Sequence, residues 1–246
     1  MFFKDVIGQE DAKQRLIREV NEGKIPHARL FCGGEGIGKL PLAIAYARYL
    51  SCEHRSETDA CGTCPTCMKY NKLAHPDLHF VFPVIKKKSG KDTVSDDFLP
   101  EWRELLESTP YFNFGLWLKE MGAENQQAQI YVKESDEILR KLSLKSSQGG
   151  YKVMIIWLPE KMNVDCSNKL LKLLEEPPAQ TVFLLVSEEP DRLLTTILSR
   201  TQRFKLRTVY SRNLEATVRL TGNGCPKYSP SFGREFPESI GDDSFE

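Results

Sequence analysis

The stretch GGEGIGKL, residues 33–40, places two glycines and a lysine at the spacing of a phosphate-binding loop, G-x-x-x-x-G-K-[ST]. In such a loop the backbone N–H groups and the start of the next helix converge on an anion, and the lysine reaches the outer phosphates. Gly33, Gly38 and Lys39 are in place, but Leu40 stands where a serine or threonine hydroxyl would hold Mg²⁺. A phosphate-loop enzyme also needs an acidic residue at the end of a neighbouring strand, to complete the metal site and orient water. The strand that qualifies, VMIIW, runs into Leu158-Pro159-Glu160, so Trp157 and Leu158 take the carboxylate positions and only Glu160 is near. Two losses in one site predict a chain that does not hydrolyse ATP. Lys39 is then left with residual anion or nucleotide binding, or with a salt bridge that shapes the loop.

A second group with chemistry is CEHRSETDACGTCPTC, in which Cys52, Cys61, Cys64 and Cys67 follow a C-x8-C-x2-C-x2-C pattern. Two overlapping C-x-x-C steps and a fourth thiol can close a tetrahedron around zinc, and Gly62 and Pro65 suit the tight turns between them. Four thiolates leave no open position for water, so such a zinc is structural. Redox thiols or a disulfide are the alternative, disfavoured in a cytosolic chain. Cys32, Cys166 and Cys225 stand alone and read as packed or free thiols. His75 and His79 read as turn and strand residues rather than ligands.

These groups need a scaffold, and composition limits what it can be. A chain of 246 residues with 40% apolar and 28% charged residues is ordinary for a soluble globular protein. The net charge of zero argues against gripping nucleic acid by bulk attraction. No apolar run approaches the roughly 20 residues of a membrane span, and the start lacks a signal-peptide layout, so the cytoplasm is the expected compartment.

Residues 9–22 read as a helix with Ala12, Leu16 and Val20 in one stripe. Ala28 to Cys32 read as a buried strand entering the glycine loop, and LPLAIAYARYLSC as the helix leaving it, with Pro41 tolerated in its first turn. HPDLHFVFPVI reads as a turn and a strand, residues 86–100 as a solvated loop, and the aromatic run 102–118 as a short helix and a turn packing locally. A helix is expected over Ile130–Ser143, with Ile138, Leu139 and Leu142 on one side, ending in a connection at Gly149-Gly150. YKVMIIWL and TVFLLVS are continuous apolar runs of the kind found in fully buried parallel strands. Between them NVDCSNKLLKLLEEPP reads as a helix stopped by Pro177-Pro178. DRLLTTILSR reads as a helix with Leu193, Leu194, Ile197 and Leu198 facing inward. Alternating strands and helices give an α/β fold, a parallel sheet with helices on both faces.

The order HARLFCGGEGIGK, the four cysteines, HPD, SNKLLKLLEEPP and EEPDRLLTTILSRTQRF resembles the clamp-loader subunits of bacterial DNA polymerase III, which are AAA+ proteins. Because gamma/tau subunits keep an intact nucleotide site, the defective loop favours the delta-prime type. The resemblance covers residues 1 to about 204 as one AAA+ domain, with the zinc module at about 52–67 and an insertion at about 86–129. It implies a non-hydrolysing stator, a component of the polymerase III holoenzyme. Such a subunit assembles with gamma/tau and delta subunits, and the complex places a sliding clamp on primed DNA. It also implies that Arg200, in Ser199-Arg200-Thr201, is offered in trans to ATP held by the neighbouring subunit; the family has Ser-Arg-Cys there. From the residues alone, a helix-terminal cation is as good a reading of Arg200 as a finger. Ser187, at the end of TVFLLVS, matches the sensor position that reads the γ-phosphate in active relatives, and here is expected to have nothing to read.

The family's helical lid and collar are not legible after Phe204. Residues 205–246 hold 13 apolar residues in 42, too few to bury a core, and read as disordered. A truncated or frame-shifted product is the leading explanation and a short variant the alternative. Two rival functions stay open on sequence: an active gamma/tau-type AAA+ ATPase that tolerates Leu40, and a zinc-ribbon nucleic-acid binding module.

Overall fold

The apolar runs that read as strands assemble side by side in a single parallel sheet. The computed structural model describes residues 1–86, 93–146 and 150–208. The elements are α1 (Glu10–Asn21), β1 (Ala28–Cys32), α2 (Lys39–Ser51), α3 (Pro65–Asn71), β2 (Leu78–Val81), α4 (Leu99–Ser108) and α5 (Phe114–Glu120). They continue with α6 (Val132–Ser143), β3 (Lys152–Trp157), α7 (Val164–Glu175), β4 (Thr181–Ser187), α8 (Thr195–Arg200) and β5 (Gln202–Lys205). The strand order is β2-β3-β4-β1-β5 and every pairing is parallel, with Cys32 level with Ser187 and Trp157 level with Val186.

Alternation along the strands divides the core in two. Phe31, Val153, Ile155, Trp157, Val182, Leu184 and Val186 pack with α1, α2, α4 and α5 on one face. Leu30, Met154, Ile156, Phe183 and Leu185 pack with α6, α7 and α8 on the other. Burial on both faces is why the central strands read as unbroken apolar runs. Each large side chain so buried contributes roughly 1.5–3 kcal/mol.

The strands and the longer helices fall where the sequence places them, and four local expectations, the aromatic run among them, are corrected. Within residues 86–100, read as a solvated loop, a 3₁₀ turn spans Ser95–Phe98 with Ser95 buried, and Leu99 opens α4 with Pro100 in its first turn. On α6, Ile138 and Leu142 face the core four residues apart, whereas Leu139, about 100° further round the helix, is 45% exposed. DRLLTTILSR is not one helix: Pro190–Arg192 form a 3₁₀ turn, Leu193 and Leu194 are non-helical, and α8 begins only at Thr195. Leu194 is therefore exposed rather than inward.

The aromatic run 102–118 forms two helices, and it packs well beyond its neighbourhood. Trp102 stacks on Phe82 at 4.1 Å between ring centres and lies 5.2 Å from Trp157. Trp117 is fully buried and donates its indole N–H to Pro83 O at 2.8 Å. At the neck of this segment Val84 and Gln129 exchange both backbone hydrogen bonds at 3.0 Å. At the far end β5 carries the fold past Phe204: Leu206 is buried and donates its N–H to Cys32 O at 2.9 Å. The tail from residue 209, with Cys225, lies outside the described residues, as do 87–92 of the insertion and Gly149 of the connection before β3.

Candidate functional site

The glycine loop leaves the carboxyl end of β1 and opens α2, the position from which a phosphate loop works. Gly33 has φ +150°, where a Cβ would collide with the Ile37 side chain. Gly38 has φ +88° and precedes the first helical residue, Lys39. The backbone is thus shaped for an anion, but the side chains around it are not.

Leu40 is 5% exposed and belongs to the apolar core under the loop, so its place is taken by packing rather than by a metal ligand. Trp157 is equally enclosed, with ring contacts to Trp102, Phe112 and Phe114. Leu158 sits in the left-handed region at φ 53° and turns the chain away at the end of β3. Glu160 is engaged by backbone, its Oε1 accepting the N–H groups of Glu188 and Glu189 at 2.9 and 3.1 Å and capping the turn after β4, while its charge still acts on the loop lysine. Leu40 and Trp157 thus leave no ligand at either expected magnesium position, and the carboxylate that does line the cleft, Glu188, is paired with Lys39.

Lys39 is 4% exposed and folds back onto its own loop. Its ammonium donates to Gly34 O and lies 3.7 Å from Glu188 Oε1. Burial pushes the Lys39 pKa down, opposed chiefly by Glu188, and pushes the Glu188 carboxyl up, opposed by Lys39. The polar side chain facing the cleft at this strand end is Glu188, one residue beyond β4. Ser187 points to the other face of the sheet, is fully buried, and its Oγ finds no partner among the described residues.

Pro110, Tyr111 and Phe112 from the α4–α5 connection line the same cleft. A Cβ built at Gly38 would lie 3.1 Å from Tyr111 Cε1, and the Tyr111 hydroxyl accepts the Ile7 N–H at 2.7 Å. The space left between Lys39, Tyr111, Phe112, Trp157 and Glu188 is about 20 Å³, room for a single water. Sequence reasoning missed Tyr111, Phe112 and Glu188. The signal available for the pair was Tyr111-Phe112 directly after Pro110, inside the aromatic run 102–118.

Arg200 is the last residue of α8 and half-exposed, and it does not line this cleft. Its guanidinium bonds Thr196 O at 3.0 Å and pairs with Glu175 at 2.7 Å.

The cysteines come together as their spacing requires. Cys52, Cys61, Cys64 and Cys67 place their sulfurs within 4.8 Å of one another. The Cys67–Cys52 and Cys61–Cys67 separations are 3.6 and 3.9 Å. A tetrahedral ion with metal–sulfur bonds of about 2.3 Å sets sulfur–sulfur distances near 3.8 Å, so the cluster could hold a metal such as zinc. The N–H groups of Cys61, Cys64 and Cys67 point at the sulfurs of Cys52, Cys61 and Cys64 at 3.3–3.4 Å, which favours thiolates. Backbone donors at Cys64 and Thr63 pull the Cys61 thiol down to about 6, whereas burial holds Cys52 and Cys67 up. Buried Arg48 braces the cluster, bonding Cys67 O at 3.1 Å and Met1 O at 3.2 Å, while Asp59 accepts the N–H groups of Phe3 and Lys4. Among the described residues, no helix is long and apolar enough to cross a membrane.

Sequence comparison with known proteins shows the family. A family model described as DNA polymerase III, delta subunit, matches residues 8–210. The chain is 33% identical to DNA polymerase III subunit delta' of Pseudomonas aeruginosa over 174 residues, covering 71% of this chain and 41% of that protein. It is 29% identical to subunit tau of Bacillus subtilis over 210 residues, covering 85% of this chain and 30% of that protein. A solved DNA polymerase III gamma subunit-related protein from Thermotoga maritima has a TM-score of 0.44 and 16% identity, over 86% of this chain and 50% of that one. The chain spans less than half the length of these curated relatives. With the five-stranded parallel sheet, the glycine loop at its β1–α2 turn and a family match over most of its length, the chain belongs to the DNA polymerase III clamp-loader family of AAA+ proteins.

Proposed function

We propose that this chain is the non-hydrolysing, delta-prime-type stator of a clamp loader, acting in the cytoplasm with gamma/tau and delta subunits to place a sliding clamp on primed DNA. The observation that carries the reading is the contrast between two positions. The chain's own cleft lacks both metal positions and has about 20 Å³ free, while Arg200 is kept at the surface, away from that cleft. A guanidinium placed beside a transferring phosphate spreads the charge that develops there, and such fingers contribute on the order of 10³ to 10⁵ in rate. In this reading Arg200 leaves Glu175 on docking and reaches the neighbour's ATP. The four cysteines hold a structural zinc, which closes the 52–67 loop and contributes no open coordination site.

The test is a loader reconstituted with Arg200→Ala. Its ATPase rate should fall by about 10³, while the isolated chain keeps its fold and metal content, because a half-exposed ion pair contributes only about 0–1 kcal/mol. Equal rates for mutant and wild-type loaders would remove the finger assignment.

A further inference from the structure

We propose that the Pro110-Tyr111-Phe112 segment is a built-in plug that holds the chain's own nucleotide cleft shut. Three observations carry this beyond ordinary core packing. Tyr111 lies on the loop: its ring rests against Gly38, and its hydroxyl accepts the Ile7 N–H, which ties it to the segment before α1. Phe112 is 8% exposed and meets Trp157 at 5.2 Å, so ring carbon occupies the region beside the missing carboxylate. Lys39 is already paired with Gly34 O and Glu188, groups that stand in for phosphate oxygens. Ligand pockets run to about 300–1,000 Å³, against about 20 Å³ beside Lys39 here, so in this proposal the plug and a nucleotide compete for one space.

The plug is braced rather than hinged. Trp102 and Trp117, one on each flanking helix, are fully buried against the sheet and meet at 5.1 Å. Upstream, Ser95 Oγ bonds both the N–H and the carbonyl of Phe82 at 3.0 and 3.1 Å, and the Ser95 N–H donates to the buried Glu134 carboxyl at 2.6 Å. Opening the cleft therefore means breaking an aromatic core, not swinging a loop. The insertion thus has a role, to replace a bound nucleotide as the filler of the cleft.

ADP binding, followed by calorimetry with and without Mg²⁺, tests this on the full chain. Tyr111→Gly combined with Phe112→Ala should bind ADP at least about tenfold more tightly than wild type, a difference of about 1.4 kcal/mol. Equal affinity in the folded variant and wild type, including no binding by either, overturns the plug. If the double variant does not fold, hydrogen exchange at the Ile7 amide decides: Tyr111→Phe keeps the ring but loses the acceptor. That amide should then exchange at least about tenfold faster than in wild type, reporting the local opening; unchanged exchange overturns the closure. Neither measurement involves Arg200 or a partner subunit, so they succeed or fail independently of the stator reading.

Discussion

The cysteine cluster and the glycine loop are both short motifs, yet one brings together every side chain a metal site would need and the other keeps its glycines and lysine without the metal positions. All four sulfurs come from residues 52–67, and the donors that favour thiolates come from the same turns. The loop supplies only part of its own site. Its metal would need position 40, the end of β3 and an empty space above, and these hold Leu40, Trp157 and the Tyr111-Phe112 pair. A site assembled from one stretch survives or fails as a unit. A site assembled from distant stretches can be dismantled from outside while its most recognisable stretch remains.

Removing one sulfur should give the largest effect. Cys67→Ser takes away a fully buried ligand that also receives the Arg48 brace. Metal content should fall to near zero and Tm by about 10 °C, given roughly 2–4 °C per kcal/mol in a chain this size. Full metal content and an unchanged Tm would show that the cluster is not a structural metal site.

Restoring a carboxylate at the cleft should cost stability and give nothing back. Trp157→Asp removes a ring packed on Trp102 and Phe112 and leaves a charge in an apolar pocket, a loss of about 3–5 kcal/mol by denaturant unfolding. No magnesium-dependent ATP turnover should appear. If turnover did appear, the cleft would be only one substitution from activity and the contrast with the cluster would collapse.

The smallest effect concerns the insertion's anchor. Burial raises the Glu134 pKa to about 7, opposed by the Ser95 N–H and by Lys141, with Asp96 adding a raising influence. The folded pKa lies above the unfolded one near 4.5, so the unfolded chain releases its proton first. Stability therefore falls as pH rises from about 4.5 to about 7 and is level above that. Glu134→Gln should match wild type at pH 4 and exceed it by about 1–3 kcal/mol at pH 8. Parallel stability curves for the two proteins across that range would rule out a titrating Glu134.

Much of the scaffold was legible because its signals are local. Ala28–Cys32 and Thr181–Ser187 are apolar runs long enough to be buried on both faces, and each forms the strand expected of it. The insertion was not legible, because its meaning lies in distant contacts: Tyr111 bonds a residue 104 positions earlier, and Trp102 packs on Trp157. Aromatic residues alone do not say what they will cover. Glu188 was missed for a subtler reason. A one-residue difference along β4 reverses the face of the sheet, so the hydroxyl expected at the cleft points away and the next side chain takes its place.

Residues 1–7 touch both regions at once. Met1, Phe3 and Lys4 are held by Arg48 and Asp59 beside the cysteines, and Ile7 is held by Tyr111 across the glycine loop. A strap fastened at two ends makes the two equilibria reciprocal. Whatever free energy metal binding lends to closure of the cleft, closure must lend back to metal binding. Chelation should therefore be felt at the Ile7 amide, and a chain with an opened cleft should release its metal more readily.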